Sequence, residues 1–225
     1  MNIVSFSGGK DSTAMLLMML EKGIPIDRII CVDTTKEFPA MYLHIEKVQS
    51  MCPVEIEIIK IDFDYWFGEH IKTRGKRKGQ KGYGFPDFRN RWCTALKREA
   101  VKKLQNTISK DAIQYHGIAF DEKVRADNNK GRNIKYPLID WGVTEKQALE
   151  YCYSRGLDWN GLYEKFHRVS CWCCPLSRIG ELRVLYNDFP NLWGELQEMD
   201  KKSFRKFRSD YSVAELTEKF ANENL

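Results

Sequence analysis

No apolar run in the 225-residue sequence comes near the length of a membrane span, so no membrane partner is expected. The first residues read as a strand and not as the apolar centre of a secretory leader, so a cytoplasmic protein is expected. Internal repeats are missing, which sets aside repeat architectures. No glycine stands five residues before a Gly-Lys-Ser/Thr group, which excludes the phosphate loop of kinases and GTPases. Charge is nearly balanced, 36 Lys and Arg against 31 Asp and Glu, so the net +5 matters less than where the charges fall. The seven cysteines are odd in number and follow no leader, which argues against a disulfide framework and for thiols or metal ligation.

What is present centres on Ser7-Gly8-Gly9-Lys10-Asp11-Ser12. The apolar run Ile3 to Phe6 leads in as a buried strand, and Thr13 to Leu20 leads out as a helix. Two glycines let the backbone turn tightly and approach a ligand. Free amides at a helix start, the Ser7, Ser12 and Thr13 hydroxyls and the Lys10 ammonium make a cradle for phosphate. A capped helix start with a glycine turn is the plainer reading of the same residues.

Further strands are expected at Arg28 to Val32, Val54 to Ile61 and Ala112 to Ile118, with helices at Pro39 to Met51 and from Arg91 to about Leu104. Alternating strands and helices predict an α/β fold with a parallel, doubly wound sheet. Asp33 and Thr34 end the second strand, where such folds place ligand contacts, although Asp33 could simply end a strand. Tyr136 to Trp141 reads as extended, and Thr144 as the cap of a helix running past Ala148. The tail reads as helical, with one helix near Pro190 and a short one after Ser212.

Residues 62–91 interrupt the pattern. Lys72, Arg74, Lys76, Arg77, Lys78, Lys81, Arg89 and Arg91 are opposed only by Asp87. Such a segment can wrap a phosphate backbone, tRNA or DNA, with Tyr83 and Phe85 stacking on bases. A solvated basic loop or a lid over a nucleotide accounts for the charges equally well. Tyr65-Trp66-Phe67 reads as packing, and Cys31, Cys52 and Cys152 as buried structural thiols.

The loop Ser7 to Ser12 resembles the pyrophosphate loop of the adenine-nucleotide alpha-hydrolase superfamily. The succession Asp33 to Pro39, Arg91-Trp92-Cys93-Thr94, Gly117-x-x-x-Asp121-Glu122-x-x-Arg125, Tyr136 to Trp141 and Cys171-x-x-Cys174-Pro175 resembles its phosphoadenylylsulfate (PAPS) reductase-like family over roughly residues 2–177. That resemblance implies a Rossmann-like (HUP-type) domain over 1–177, a helical extension over 178–225, and room for a homodimer. It places phosphates of ATP or a related adenine nucleotide on Ser7, Gly8, Gly9, Lys10, Asp11 and Ser12, the adenosine near Asp33 and Thr34, and Arg125 and Lys97 toward the phosphates or the transferred group. Arg125 also reads as a plain surface charge.

True sulfonucleotide reductases of this kind attack sulfur with a tail cysteine, and none follows Cys174 here. The branch implied instead spends ATP to adenylate an acceptor oxygen and then installs sulfur, drawn from a sulfur donor protein. Lys10, the loop amides and Mg2+, with Asp11 as its nearest ligand, would stabilise the developing charge. The resemblance also implies a 4Fe-4S cluster on Cys93, Cys171 and Cys174, Trp92 replacing the first member of an upstream Cys-Cys pair. Cys173 is either a fourth ligand or a free thiol. Zinc and a metal-free set of buried thiols remain the alternatives, and with them two other functions: a reductase using an external thiol, and a non-catalytic nucleotide-binding module with structural zinc.

Overall fold

Five parallel strands in the order β3-β2-β1-β4-β5 carry the glycine-loop half of the computed structural model, which describes residues 1–107, 111–127 and 133–223. In chain order the elements are β1 (Asn2–Ser5), α1 (Lys10–Glu21), β2 (Arg28–Asp33), α2 (Pro39–Met51), β3 (Ile56–Lys60), α3 (Trp92–Asn106), β4 (Ile113–His116), α4 (Val124–Asp127), β5 (Ile134–Lys135), α5 (Pro137–Asp140), α6 (Glu145–Tyr153), α7 (Leu162–Lys165), α8 (Ile179–Asp188), α9 (Pro190–Lys202) and α10 (Val213–Glu223). They form two compact units. One comprises Met1–Asp33, Pro39–Lys60 and Glu99–Glu164; the other comprises Thr34–Phe38, Ile61–Arg98 and Lys165–Leu225.

The first unit is the α/β part. Central strands covered on both faces need continuous apolar runs, and Ile3, Val4, Ile29, Ile30 and Cys31 are all buried. The edge strand β3 instead alternates, burying Ile56 while Glu57 takes a two-pronged ion pair from Arg28 of β2 at 2.6 and 2.5 Å. Strand order reverses between β1 and β4, both of which pair with parallel neighbours on either side. In such sheets ligands bind beyond the carboxyl ends of the strands at that reversal. β1 runs from there into the Ser7–Gly9 loop and β4 into Gly117.

α1 is buried nearly all round, from Ser12 to Leu17 and at Met19, and packs on α6. Thr144 closes the start of α6 with the expected cap, its hydroxyl accepting from the Gln147 amide while the Gln147 side chain accepts from the Thr144 amide. The segment expected to be extended at Tyr136 to Trp141 is instead one helical turn, α5. Pro137 starts it, because its fixed φ suits the first helical position and its missing N–H is not needed there. The extended residues lie just before it, as β5.

The second unit is aromatic. Phe38, Phe166 and Phe189 meet with centroids 5.0 to 5.9 Å apart. Phe63, Trp92, Tyr83 and Trp66 make a second file of rings. Of the aromatic run, Phe67 packs as expected, buried against Phe63 and Phe85, whereas Tyr65 is exposed. The basic stretch is a short hairpin, with Ile71 bridging Lys81 antiparallel and the Lys72 amide donating to Gln80 at 3.0 Å. Gly82 anchors it at φ +64, where a Cβ would fall 2.2 Å from the Phe67 carbonyl oxygen. The helical tail has three helices. Besides those near Pro190 and after Ser212, α8 buries Leu182 and Leu185, and α9 and α10 pack through Trp193, whose N–H donates to Thr217 at 3.0 Å.

Candidate functional site

The loop from Ser7 to Gly9 turns because Gly8 takes φ +74, and a Cβ there would lie 2.7 Å from Met41 Sδ. Its amides face hydroxyls: Ser7 donates to Ser12 Oγ at 3.1 Å, and Gly9 to Ser7 Oγ at 3.4 Å. The Lys10 amide, first of the helix, donates to the Tyr163 hydroxyl at 2.9 Å. Gly8 is pinned from behind, its carbonyl accepting the Trp159 indole N–H at 2.8 Å. Gly117 brings the end of β4 against this turn so closely that a Cβ would lie 2.7 Å from Ser12 Cα.

Lys10 stands between two carboxylates, 2.6 Å from Glu145 and 3.2 Å from Asp11. Burial lowers its pKa, but Glu145 and Asp11 more than offset this and hold the ammonium above its ordinary value. Asp11 is pushed up to about 6 by burial, against the pull of Lys10. Its Oδ1 is buried without a hydrogen-bond partner. Carboxylate oxygens of Asp11, Glu122 and Glu145 lie within 4.8 Å of one another. Arg125 is exposed and ion-paired with Glu122. Asp33, at the end of β2, is buried and accepts from the Tyr42 hydroxyl at 3.1 Å.

The second unit holds the clustered cysteines. Cys171 and Cys174 span a turn, the Cys174 amide donating to the Cys171 carbonyl at 3.1 Å. Cys171 Sγ lies 3.2 Å from Thr34 Oγ1 and donates to Glu37 Oε1 at 3.4 Å. Lys97 pairs with the same Glu37 oxygen at 3.2 Å, which puts it beside the thiols. Burial pushes the Cys171 and Cys173 thiols far up, Glu37 adding to the first and the neighbouring cysteines to the second. Cys174 is raised by burial and by Cys93. Cys93 sits half-buried in the first turn of α3. Trp92 is core, packed between Phe63 and Tyr83, with its N–H on Gly84 O at 3.0 Å.

A metal bound to these buried thiols would supply the charge needed to deprotonate them. Tetrahedral zinc holds sulfurs about 3.8 Å apart. Among the described residues, the only three or more His, Cys, Asp or Glu ligand atoms mutually within 4.8 Å are those of Asp11, Glu122 and Glu145. Of the other cysteines, Cys31 and Cys152 are buried as expected, whereas Cys52 is half-buried. Phe85, expected to stack on bases, is 1% exposed and packs edge-on to Phe67 and Phe207, so it cannot do so.

Sequence reading passed over Glu37, Glu145, Tyr163 and Trp159. Glu37 lay inside the quoted Asp33 to Pro39 stretch, and Glu145 directly after the Thr144 cap, so both had a local signal. Tyr163 and Trp159 had none.

An uncharacterized protein of Methanocaldococcus jannaschii is 27% identical over 228 aligned positions, covering 95% of this chain and 43% of that protein. The chain therefore spans less than half the length of that relative. An uncharacterized 37.8 kDa protein from the gpa 5' region of Escherichia phage 186 is 23% identical, over 89% of this chain and 74% of its own length. Among solved structures, the U34-tRNA thiolase NcsA from Methanococcus maripaludis with its 4Fe-4S cluster aligns at a TM-score of 0.44 and 14% identity, covering 99% of this chain and 70% of that one. The phosphoadenosine phosphosulfate reductase domain family matches residues 1–177, which takes in the glycine loop, the reversal of strand order and the Cys171–Cys174 turn, and the chain belongs to that family.

Proposed function

We propose that the chain binds ATP, or a related adenine nucleotide, over Ser7 to Ser12 and uses it to adenylate an oxygen acceptor for replacement by sulfur. The carrying observation is the Lys10 ammonium held at the amino end of α1 beside a buried Asp11 oxygen that lacks a partner. The acceptor oxygen attacks the α-phosphorus, the bond from that phosphorus to pyrophosphate breaks, and the acceptor's proton leaves to solvent. Lys10 holds the charge that builds on the phosphate oxygens, joined by the loop amides once phosphate displaces the Ser7, Ser12 and Tyr163 hydroxyls they now donate to. Sulfur at the sulfide level, from a donor protein or free sulfide, then attacks the atom bearing the activated oxygen. The bond to that oxygen breaks and AMP departs with it, so no reductant is consumed.

Asp11, with Glu122 and Glu145 close by, offers the oxygen ligands that Mg2+ prefers, and the unpartnered Asp11 oxygen fits that use. Asp33 and Thr34 sit at the strand end where the adenosine is expected. Cys93, Cys171 and Cys174 would hold a 4Fe-4S cluster, with Cys173 a buried neighbour. A cluster held by three thiolates supplies an iron site open to sulfur. The basic hairpin and Arg89 suit a nucleic-acid acceptor, tRNA or DNA.

The test is pyrophosphate release from ATP with candidate acceptors present. Release that requires acceptor and fails in Lys10→Ala supports adenylation. The family match favours a second reading, reduction of a sulfonucleotide by an external thiol. Adenylylsulfate consumed with no pyrophosphate released from ATP would select it.

A further inference from the structure

The second unit contains a cleft of about 640 Å³ that neither the glycine loop nor the cysteines explain. Two stretches far apart in sequence form it, residues 85–89 and 204–210, with Arg77, Pro175 and Leu176 completing the lining. The second stretch lies beyond the 1–177 family match. Five cations face the cleft, Arg77, Arg89, Arg205, Lys206 and Arg208, against two carboxylates. Both carboxylates are already engaged, Asp87 by Arg205 and Asp210 by Arg208, each at 2.9 Å. Arg77 and Arg89 form no ion pair among the described residues.

Aromatic rings stand in the same cleft. Phe88 is 78% exposed and Phe204 is 50% exposed. Each ring carries a guanidinium, Arg91 at 5.8 Å from Phe88 and Arg77 at 4.9 Å from Phe204. Lys72 also lies over Phe204, at 4.3 Å. Exposed phenyl rings cost hydration, and nothing in a solvated basic loop calls for them. An acidic peptide would use the cations and leave the rings idle. A single strand uses both, with phosphates on the arginines and unstacked bases on the rings. A duplex keeps its bases stacked inside and offers these rings no faces.

We propose that this cleft binds single-stranded nucleic acid, with Phe88 and Phe204 as base-stacking rings and Arg77, Arg89 and Arg205 on the backbone. The proposal rests on the nucleic-acid acceptor suggested above and narrows it to an unpaired segment. In this proposal Phe88 and Phe204 take the stacking role that buried Phe85 cannot.

The experiment is fluorescence anisotropy of the full chain with labelled single-stranded oligonucleotides, DNA and RNA, and a duplex of the same sequence, across a salt series. Tighter binding of single strands is expected, with a log–log salt slope of roughly −2 for the phosphates held by the three arginines. Phe88→Ala and Phe204→Ala should each weaken binding about tenfold while the salt slope stays unchanged. Arg89→Gln should flatten the slope by about 0.7. Both rings are exposed, and unchanged melting temperatures verify that the variants fold. Equal affinity for the duplex, or single-strand binding indifferent to both phenylalanine variants, would overturn the cleft. If binding then still falls when Lys76 and Lys78, which do not line the cleft, are neutralised, the acceptor reading survives without it. If neither oligonucleotides nor folded tRNA bind, the acceptor reading itself fails, and the cleft with it.

Discussion

His44 shows how much one buried side chain can set the response to pH. It is 4% exposed, bonded to Thr13 Oγ1 at 3.0 Å and stacked on Trp159 at 4.1 Å between ring centres. Burial, helped by Lys47, pushes its pKa down to about 4 from an ordinary 6.5. Between those values the unfolded chain takes up a proton that the folded chain refuses. His44 therefore contributes stability that is whole above pH 6.5 and lost as pH falls toward 4, at most about 3 kcal/mol. Asp11 has the opposite sign. Its carboxyl is raised from 3.8 to about 6, so its contribution is whole below 3.8 and lost as pH rises through 6. The two offset each other across the same window, and single variants separate them. Denaturant unfolding at pH 4.5 and pH 7 should show the deficit of His44→Gln shrinking in acid by about 2 kcal/mol. Relative to the parent, Asp11→Asn should instead be better off at pH 7 than in acid. A His44→Gln deficit equal at both pH values would mean that this histidine titrates normally.

At the scale of elements, the junction of β1, α1 and β4 depends on closeness that only glycine allows. A Cβ on Gly117 would press on Ser12 N and Cα at 2.7 Å and on the Asp11 carbonyl carbon at 2.9 Å, all backbone that cannot swing aside. Gly117→Ala should cost about 1–3 kcal/mol of stability and weaken ATP binding, because the start of α1 must shift. Gly180 inside α8 meets nothing within 4 Å, so Gly180→Ala should be neutral or stabilising by up to about 1 kcal/mol. Calorimetry of both variants with ATP checks the pair, and equal losses would remove Gly117 from its role. These elements were also the most legible ones. Pro39–Met51 matches the expected helix at both ends, and the strand–loop–helix was plain from its apolar run and glycines. α5 was misread because a proline inside an apolar stretch suits an extended chain as well as a helix start. Contacts were least legible where they cross long distances in sequence. Tyr163 reaches the Lys10 amide across 153 residues and Glu37 reaches Cys171 across 134, and no local pattern encodes either. The same limit sent the stacking role to Phe85, which lies in the basic stretch in sequence but packs against Phe207, more than a hundred residues away.

Over the whole molecule, the residues proposed for the phosphates and the clustered thiols belong to different units, while Thr34, proposed for the adenosine, lies with the thiols. Ser7 to Ser12, Asp33, Glu122 and Glu145 lie in the first, and Cys93, Cys171, Cys173 and Cys174 in the second. If the proposed reaction has two halves, adenylation and sulfur delivery, substitutions in one unit should stop one half and spare the other. Lys10→Ala removes a charged phosphate contact, so ATP binding should weaken by about 1.5–3 kcal/mol and pyrophosphate release should fall with it. The same variant should keep any cluster, and anaerobically purified protein should remain brown, absorbing broadly near ~400 nm. Cys174→Ala should do the reverse, losing the colour and the sulfur product while acceptor-dependent pyrophosphate release continues. Cys93→Ala should behave like Cys174→Ala, and Cys173→Ala separates ligand from bystander by whether colour survives. Colourless anaerobic protein with one equivalent of zinc would remove the cluster, while leaving the nucleotide half to stand or fall on pyrophosphate alone. Loss of pyrophosphate release in Cys174→Ala, with folding intact, would show instead that the thiols take part in the first half, and the division of labour between the units would have to be abandoned.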